Sequence, residues 1–75
     1  ADRYSGPYKY ASGEYYLGEF FKGLRQGFGK CRYSDGNYYE GDWLRDYQNG
    51  KGILIFANGD HYIGQFENGL PHGFG

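Results

Sequence analysis

The sequence predicts an all-β fold in which consecutive β-hairpins form an elongated, single-layer antiparallel sheet. Three observations carry that prediction. First, one pentad recurs in register: Tyr16-Leu17-Gly18-Glu19-Phe20, Tyr39-Glu40-Gly41-Asp42-Trp43 and Tyr62-Ile63-Gly64-Gln65-Phe66, each copy twenty-three residues after the last. A fixed period of this size is the signature of a repeat architecture. Second, the rest of the unit keeps step, with Gly27, Gly50 and Gly73 equivalent, and likewise Gly29, Gly52 and Gly75. Third, each unit holds a small-polar–glycine pair between aromatic-rich runs: Ser12-Gly13, Asp35-Gly36 and Asn58-Gly59. Such pairs between extended segments signal hairpin turns.

Taken in order, Gly6 to Tyr15 map onto Gly29 to Tyr38, so the chain starts inside a unit. The divisions are a partial unit at 4–15, units at 16–38 and 39–61, and a partial unit at 62–75, one array expected to belong to a longer protein. Pro7 to Tyr10 read as extended. Glu14 to Phe21 alternate around Gly18, and the pattern repeats after each turn. A second, longer connection covers Lys22 to Gln26, Asp46 to Asn49 and Asn68 to His72. Leu24, Tyr47 and Leu70 are equivalent there and are expected to fold back as plugs. No window reads as a helix, because glycines interrupt every candidate.

Parity constrains the connections. Side chains alternate faces along a strand, so a unit of odd length needs one odd connection or a bulge. Either the Asp-Gly loop has three residues, with glycine in a left-handed bulge position, or the longer connection is odd. Within a strand, Tyr39, Gly41 and Trp43 share one face, and Gly41 leaves bare backbone for an aromatic ring to cover.

Composition narrows the function. The 75 residues include 10 Tyr, 6 Phe, one Trp and 15 Gly, so rings over backbone must replace an aliphatic core. A net charge of −1 without a basic run speaks against a nucleic-acid binder. Cys31 is the lone cysteine and no Asn-x-Ser/Thr site occurs, which favours a cytoplasmic setting. The longest apolar run, Ile53 to Ala57, is too short for a membrane span, and no signal peptide is visible.

Tyr-Glu-Gly-Asp-Trp followed by a Gly-x-Gly step at this period resembles the membrane occupation and recognition nexus (MORN) repeat, over about residues 4 to 75. The chain departs from the family pattern at Gln26 and Asn49, where a histidine kept only at His72 is usual. Asp46 replaces the loop glycine seen at Gly23 and Gly69, and Tyr4 replaces the first glycine of its Gly-x-Gly step. The resemblance implies hairpins in an elongated sheet and roles in protein scaffolding, at the cytoskeleton, cilia or membrane junctions. It also implies association with anionic phospholipid, or service as an accessory module beside catalytic domains such as lipid kinases and a lysine methyltransferase.

The candidate protein-binding face comprises Tyr16, Phe20, Tyr39, Trp43, Tyr62 and Phe66, as core and groove wall together, with Trp43 as the anchor for a peptide or helix. Open strand edges offer β-augmentation or a homodimer. Lys22, Arg25, Lys30, Arg32, Arg45 and Lys51, with Lys9, are candidates for a lipid or acidic-partner rim. Against a membrane stripe, Lys30 and Arg32 become Ile53 and Ile55 in the next unit. Catalysis is not expected: Cys31, His61 and His72 occupy structural slots, and one Cys with two His supplies no metal site. Gly27-Phe28-Gly29 and Gly50-Lys51-Gly52 lack the context of nucleotide loops. The expectation is a non-enzymatic interaction module with no cofactor and a protein partner.

Overall fold

The computed structural model describes residues 2–73. Seven strands follow one another in space as in sequence: β1 (Arg3–Lys9), β2 (Tyr15–Phe21), β3 (Leu24–Arg32), β4 (Tyr38–Leu44), β5 (Tyr47–Ile55), β6 (His61–Glu67) and β7 (Leu70–Pro71). All neighbours pair antiparallel in one open sheet measuring 36 × 24 × 14 Å, the expected single layer.

Parity is resolved at the Asp-Gly loops. The Tyr33 N–H donates to Asn37 O (2.8 Å) and the Gly36 N–H donates to Tyr33 O (3.1 Å), closing a loop of Ser34, Asp35 and Gly36, with Gly36 left-handed at φ 95°. Three residues in that loop, the first of the two alternatives, make it the odd connection: the alternation runs unbroken from Cys31 to Tyr39, and the other connection inverts it once per unit. Bonds of the same kind close the loops after Tyr10 and Phe56.

The other connection is shorter than expected. Lys22-Gly23, Arg45-Asp46 and Asn68-Gly69 are two-residue turns with both residues at positive φ, whose twist matches that of the strands they join. The residues assigned to a longer loop, Leu24 to Gln26 among them, belong to strands. A two-residue turn has no slack for a plug, so Leu24, Tyr47 and Leu70 open β3, β5 and β7 as exposed side chains. The register shifts between Gly18 and Phe20, and again between Gly41 and Trp43, placing one residue opposite three. A shift by two residues leaves the faces unchanged.

Gly6, Gly18, Gly29, Gly41, Gly52 and Gly64 pair successively and form a glycine row across six strands. The row exists because rings lie on it. A Cβ on Gly29 would overlap the Tyr16 ring, and one on Gly52 the Tyr39 ring. The covering ring comes from the strand of the adjoining glycine, two residues before it.

Gly52→Ala is therefore expected to cost about 2 kcal/mol through overpacking alone. Gly59→Ala, in a loop with nothing within 4 Å of the new Cβ, is expected to cost about 1 kcal/mol through its positive φ. Urea unfolding of both variants measures the difference, and equal costs would refute the close-approach account.

Candidate interaction surfaces

On one face, here called inner, the aromatic residues form a continuous edge-to-face ladder. Phe20 meets Tyr16 (ring centroids 4.9 Å apart), Tyr16 meets Trp43 (5.3 Å), Trp43 meets Tyr39 (5.2 Å), Tyr39 meets Phe66 (4.9 Å) and Phe66 meets Tyr62 (5.2 Å). Each such pair adds about 1 kcal/mol beyond the area it buries. The polar tips are bonded as well: Tyr16 and Tyr39 hydroxyls donate to Glu19 O (2.9 Å) and Asp42 O (2.8 Å), and Trp43 Nε1 donates to Gly29 O (3.1 Å).

The six residues assigned to a binding face thus come together, but as core. Tyr16 and Tyr39 are 0% exposed, Trp43 is 4%, and Phe20 and Phe66 are also buried; Tyr62 is intermediate. The expectation of a groove wall anchored on Trp43 is corrected for the five buried rings. Each is covered by its neighbour and by the glycine row, so a second layer is not needed to bury them.

Arg25 is corrected too. It was grouped with the rim cations, yet its guanidinium lies 4.4 Å from the Trp43 ring centroid and 5.1 Å from that of Tyr10. Its Nε donates to Asp46 Oδ1 (2.6 Å), its Nη2 to Asp46 O (3.0 Å), and Glu14 Oε1 lies 3.4 Å from Nη1. Burial opposes the charge, but the bond to Asp46 and the Asp46 charge outweigh it, and the Arg25 pKa rises. Asp46 takes the left-handed conformation (φ 76°) that glycine takes at Gly23 and Gly69, and its carboxylate holds the cation of the preceding unit. The unit-to-unit stitch repeats: the Asp46 N–H donates to Arg25 O, and the Gly69 N–H to Gln48 O (both 2.9 Å). Gln48, in the slot of Arg25, is buried with its Nε2 on Tyr33 Oη (2.5 Å).

The remaining cations divide. Lys22 and Arg45 sit in turns, Lys22 over the Phe21 ring at 5.4 Å. Lys30, Arg32 and Lys51 lie in strands on the outer face, opposite the ladder, and are exposed. That face presents features not singled out from the sequence. Phe28, Ile53 and Ile63 line a trough of about 470 Å³ over Gly41, Gly52 and Gly64, flanked by Glu40, Asp42 and Lys51. Phe28 is 49% exposed and Ile63 62%. Lys9, Lys30 and Arg32 gather with Tyr15, Leu17 and Tyr38 around a second concavity of about 550 Å³. The signal was available in the alternation of strand positions, but it needed the loop length that parity left open.

For chemistry, Cys31 is buried and its thiol is pushed up by burial, against the pull of Arg25. His61 opens β6, and His72 Nε2 lies 3.4 Å from Glu67 Oε1. Among the described residues no three His, Cys, Asp or Glu side chains cluster as metal ligands, and no helix is long and apolar enough to cross a membrane.

Two expectations follow. Asp46→Gly relieves a strained backbone but strands Arg25, at a net cost of about 2 kcal/mol. Adding Arg25→Gln recreates the Gln48–Gly69 pair of the next unit and should recover about 1 kcal/mol, a coupling read from a double-mutant cycle; additivity would disprove it. Burial pushes the Tyr39 hydroxyl from 10.0 up to about 12, with the Asp42 charge adding to the shift, and burial raises Tyr16 as well. A raised folded-state pKa means a contribution present below pH 10.0 and lost as pH climbs through about 12. In an alkaline titration, ionisation of the buried tyrosines should accompany loss of the near-ultraviolet dichroism in that window, and Tyr39→Phe should weaken the dependence.

The sequence model of the MORN repeat matches residues 16–38, 39–61 and 62–75. Compared with curated proteins, the chain has no match. With three consecutive matches over most of its length and the hairpin array they require, the chain belongs to the MORN repeat family.

Proposed function

We propose that this chain is a non-catalytic protein-interaction module that receives its partner on the outer face of the sheet. The observation that carries the reading is the trough over Gly41, Gly52 and Gly64, where the exposed side chains of Phe28 and Ile63 line one concavity together with Ile53. Large apolar side chains grouped in an exposed concavity mark interaction sites more often than scattered ones do.

The inner face is less suited to the role. Its ladder rings are spent on each other, with Tyr4 and Tyr8 on β1 left about half exposed, and moving Trp43 outward would break its bond to Gly29 and uncover Arg25. A reducing compartment suits the buried thiol of Cys31, and the cytoplasm remains our reading for its location.

Panning a random decapeptide display library on the chain tests the proposal. Selected ligands should lose about thirtyfold in affinity on Ile63→Asp, the loss of one buried contact side chain at about 2 kcal/mol. Because Ile63 is exposed, the variant should unfold within about 0.5 kcal/mol of wild type. Ligands that bind Ile63→Asp as well as wild type would refute the outer face as the docking surface.

A further inference from the structure

We infer that the partner segment received on the outer face is acidic at the end lying over β1–β4, where it meets a cationic, tyrosine-lined pocket. The inference rests on the outer-face reading above and adds the chemistry of the ligand and its direction.

The register defines the pocket. Lys9 pairs with Tyr15, Tyr15 with Arg32, and Arg32 with Tyr38, so cations and tyrosines alternate across four strands in one row. Lys30 and Leu17, paired with each other, lie in the next row on the same face. The row continues through Ile55 to His61 without a carboxylate. Lys9, Lys30 and Arg32 make no ion pair among the described residues, whereas Arg3 has one and Arg25 two. The nearest carboxylate by register, Glu40 opposite Lys30, accepts the Tyr38 hydroxyl at 3.1 Å. Three unpaired cations between two ring faces and a leucine are complementary to carboxylates carried on a chain with apolar side chains.

Scale fits a peptide. Strands about 4.8 Å apart make the four-strand row about 14 Å long and the six-strand row about 24 Å, or about seven residues of extended chain. Going from β1 toward β6, the surface changes from Lys9, Lys30 and Arg32 to Ile53 and Ile63. A bound segment would then have its acidic residues first and its apolar residues last along that direction. A flat anionic membrane fits less well. Lying on the whole outer face it would meet Glu19, Glu40 and Asp42 together, which share that face with the cations, while a peptide with its acidic end over Lys9, Arg32 and Lys30 passes Glu40 with the apolar part that continues to Ile53 and Ile63.

The test is the display selection on this chain, read for sequence. Ligands should be enriched in Asp and Glu at one end and in apolar residues at the other. Replacing those acids by amides should weaken binding roughly tenfold, and more salt should narrow the gap. Panning on the Lys30→Glu, Arg32→Glu variant should remove the acidic enrichment while Ile63-dependent binding survives. Selected ligands without acidic bias, still lost on Ile63→Asp, would overturn this inference and leave the outer-face reading standing. Ligands insensitive to Ile63→Asp would overturn both. Vesicles of phosphatidylcholine and phosphatidylserine provide the other arm. Arg32-dependent retention on them, without acidic peptides in the selection, would assign the pocket to lipid and overturn the inference.

Discussion

A tyrosine lying across a pair of facing glycines is the contact on which the rest of this sheet depends. Tyr39 can cover Gly41 and Gly52 only because neither carries a Cβ, and its hydroxyl then reaches the Asp42 carbonyl. With the ring pressed flat on backbone, its edges are presented to Trp43 on one side and Phe66 on the other. Repetition turns that local arrangement into a ladder, and the ladder replaces the second layer that most sheets need to bury an apolar face. Glycine, ordinarily a weak strand former, is here the residue that makes the core possible.

The two faces are divided by this arrangement. Rings engaged edge-to-face and tied by their polar tips leave the ladder little apolar surface to offer, and the inner face exposes large rings at Tyr4 and Tyr8 on β1. Arg25 illustrates the division, since a cation that looks like a rim residue is held on Trp43 and against Asp46. On the outer side the slots vary from unit to unit: Lys9 and Arg32 give way to Ile55, and Lys30 to Ile53. Slots that build the core repeat, and slots that face away from it are free to differ. Whatever distinguishes this chain from another array of the same design is written in the second set.

Much of the fold was legible in the sequence because the repeat reports its own geometry. The hairpins, the single layer and the shared face of Tyr16, Tyr39 and Tyr62 followed from spacing and alternation. Burial did not follow. Counting layers suggests that one side of a lone sheet stays wet, and only the closeness of ring to glycine shows how Trp43 is sealed. The length of the second connection was also hidden, since Arg45-Asp46 contains no glycine to announce a two-residue turn, and the compensation from Arg25 lies twenty-one residues away. The outer pocket was missed for a related reason. Lys9, Lys30 and Arg32 are scattered along the chain, and only the strand register gathers them.

The three-residue Asp-Gly loop sets a rule for how such an array can change length. Its odd length carries the alternation unbroken from Cys31 to Tyr39, while each two-residue turn inverts it, so each later strand owes its orientation to every connection before it. Losing or gaining one residue at Ser34-Asp35-Gly36 would turn Tyr39 and Trp43 toward solvent and Glu40 and Asp42 toward the ladder, and the error would pass to every strand beyond. Whole units can be added or removed with all faces preserved, and so can pairs of residues at a bulge. Arrays of this kind are therefore free to grow in steps of a repeat and are held, within each repeat, to a fixed count of residues.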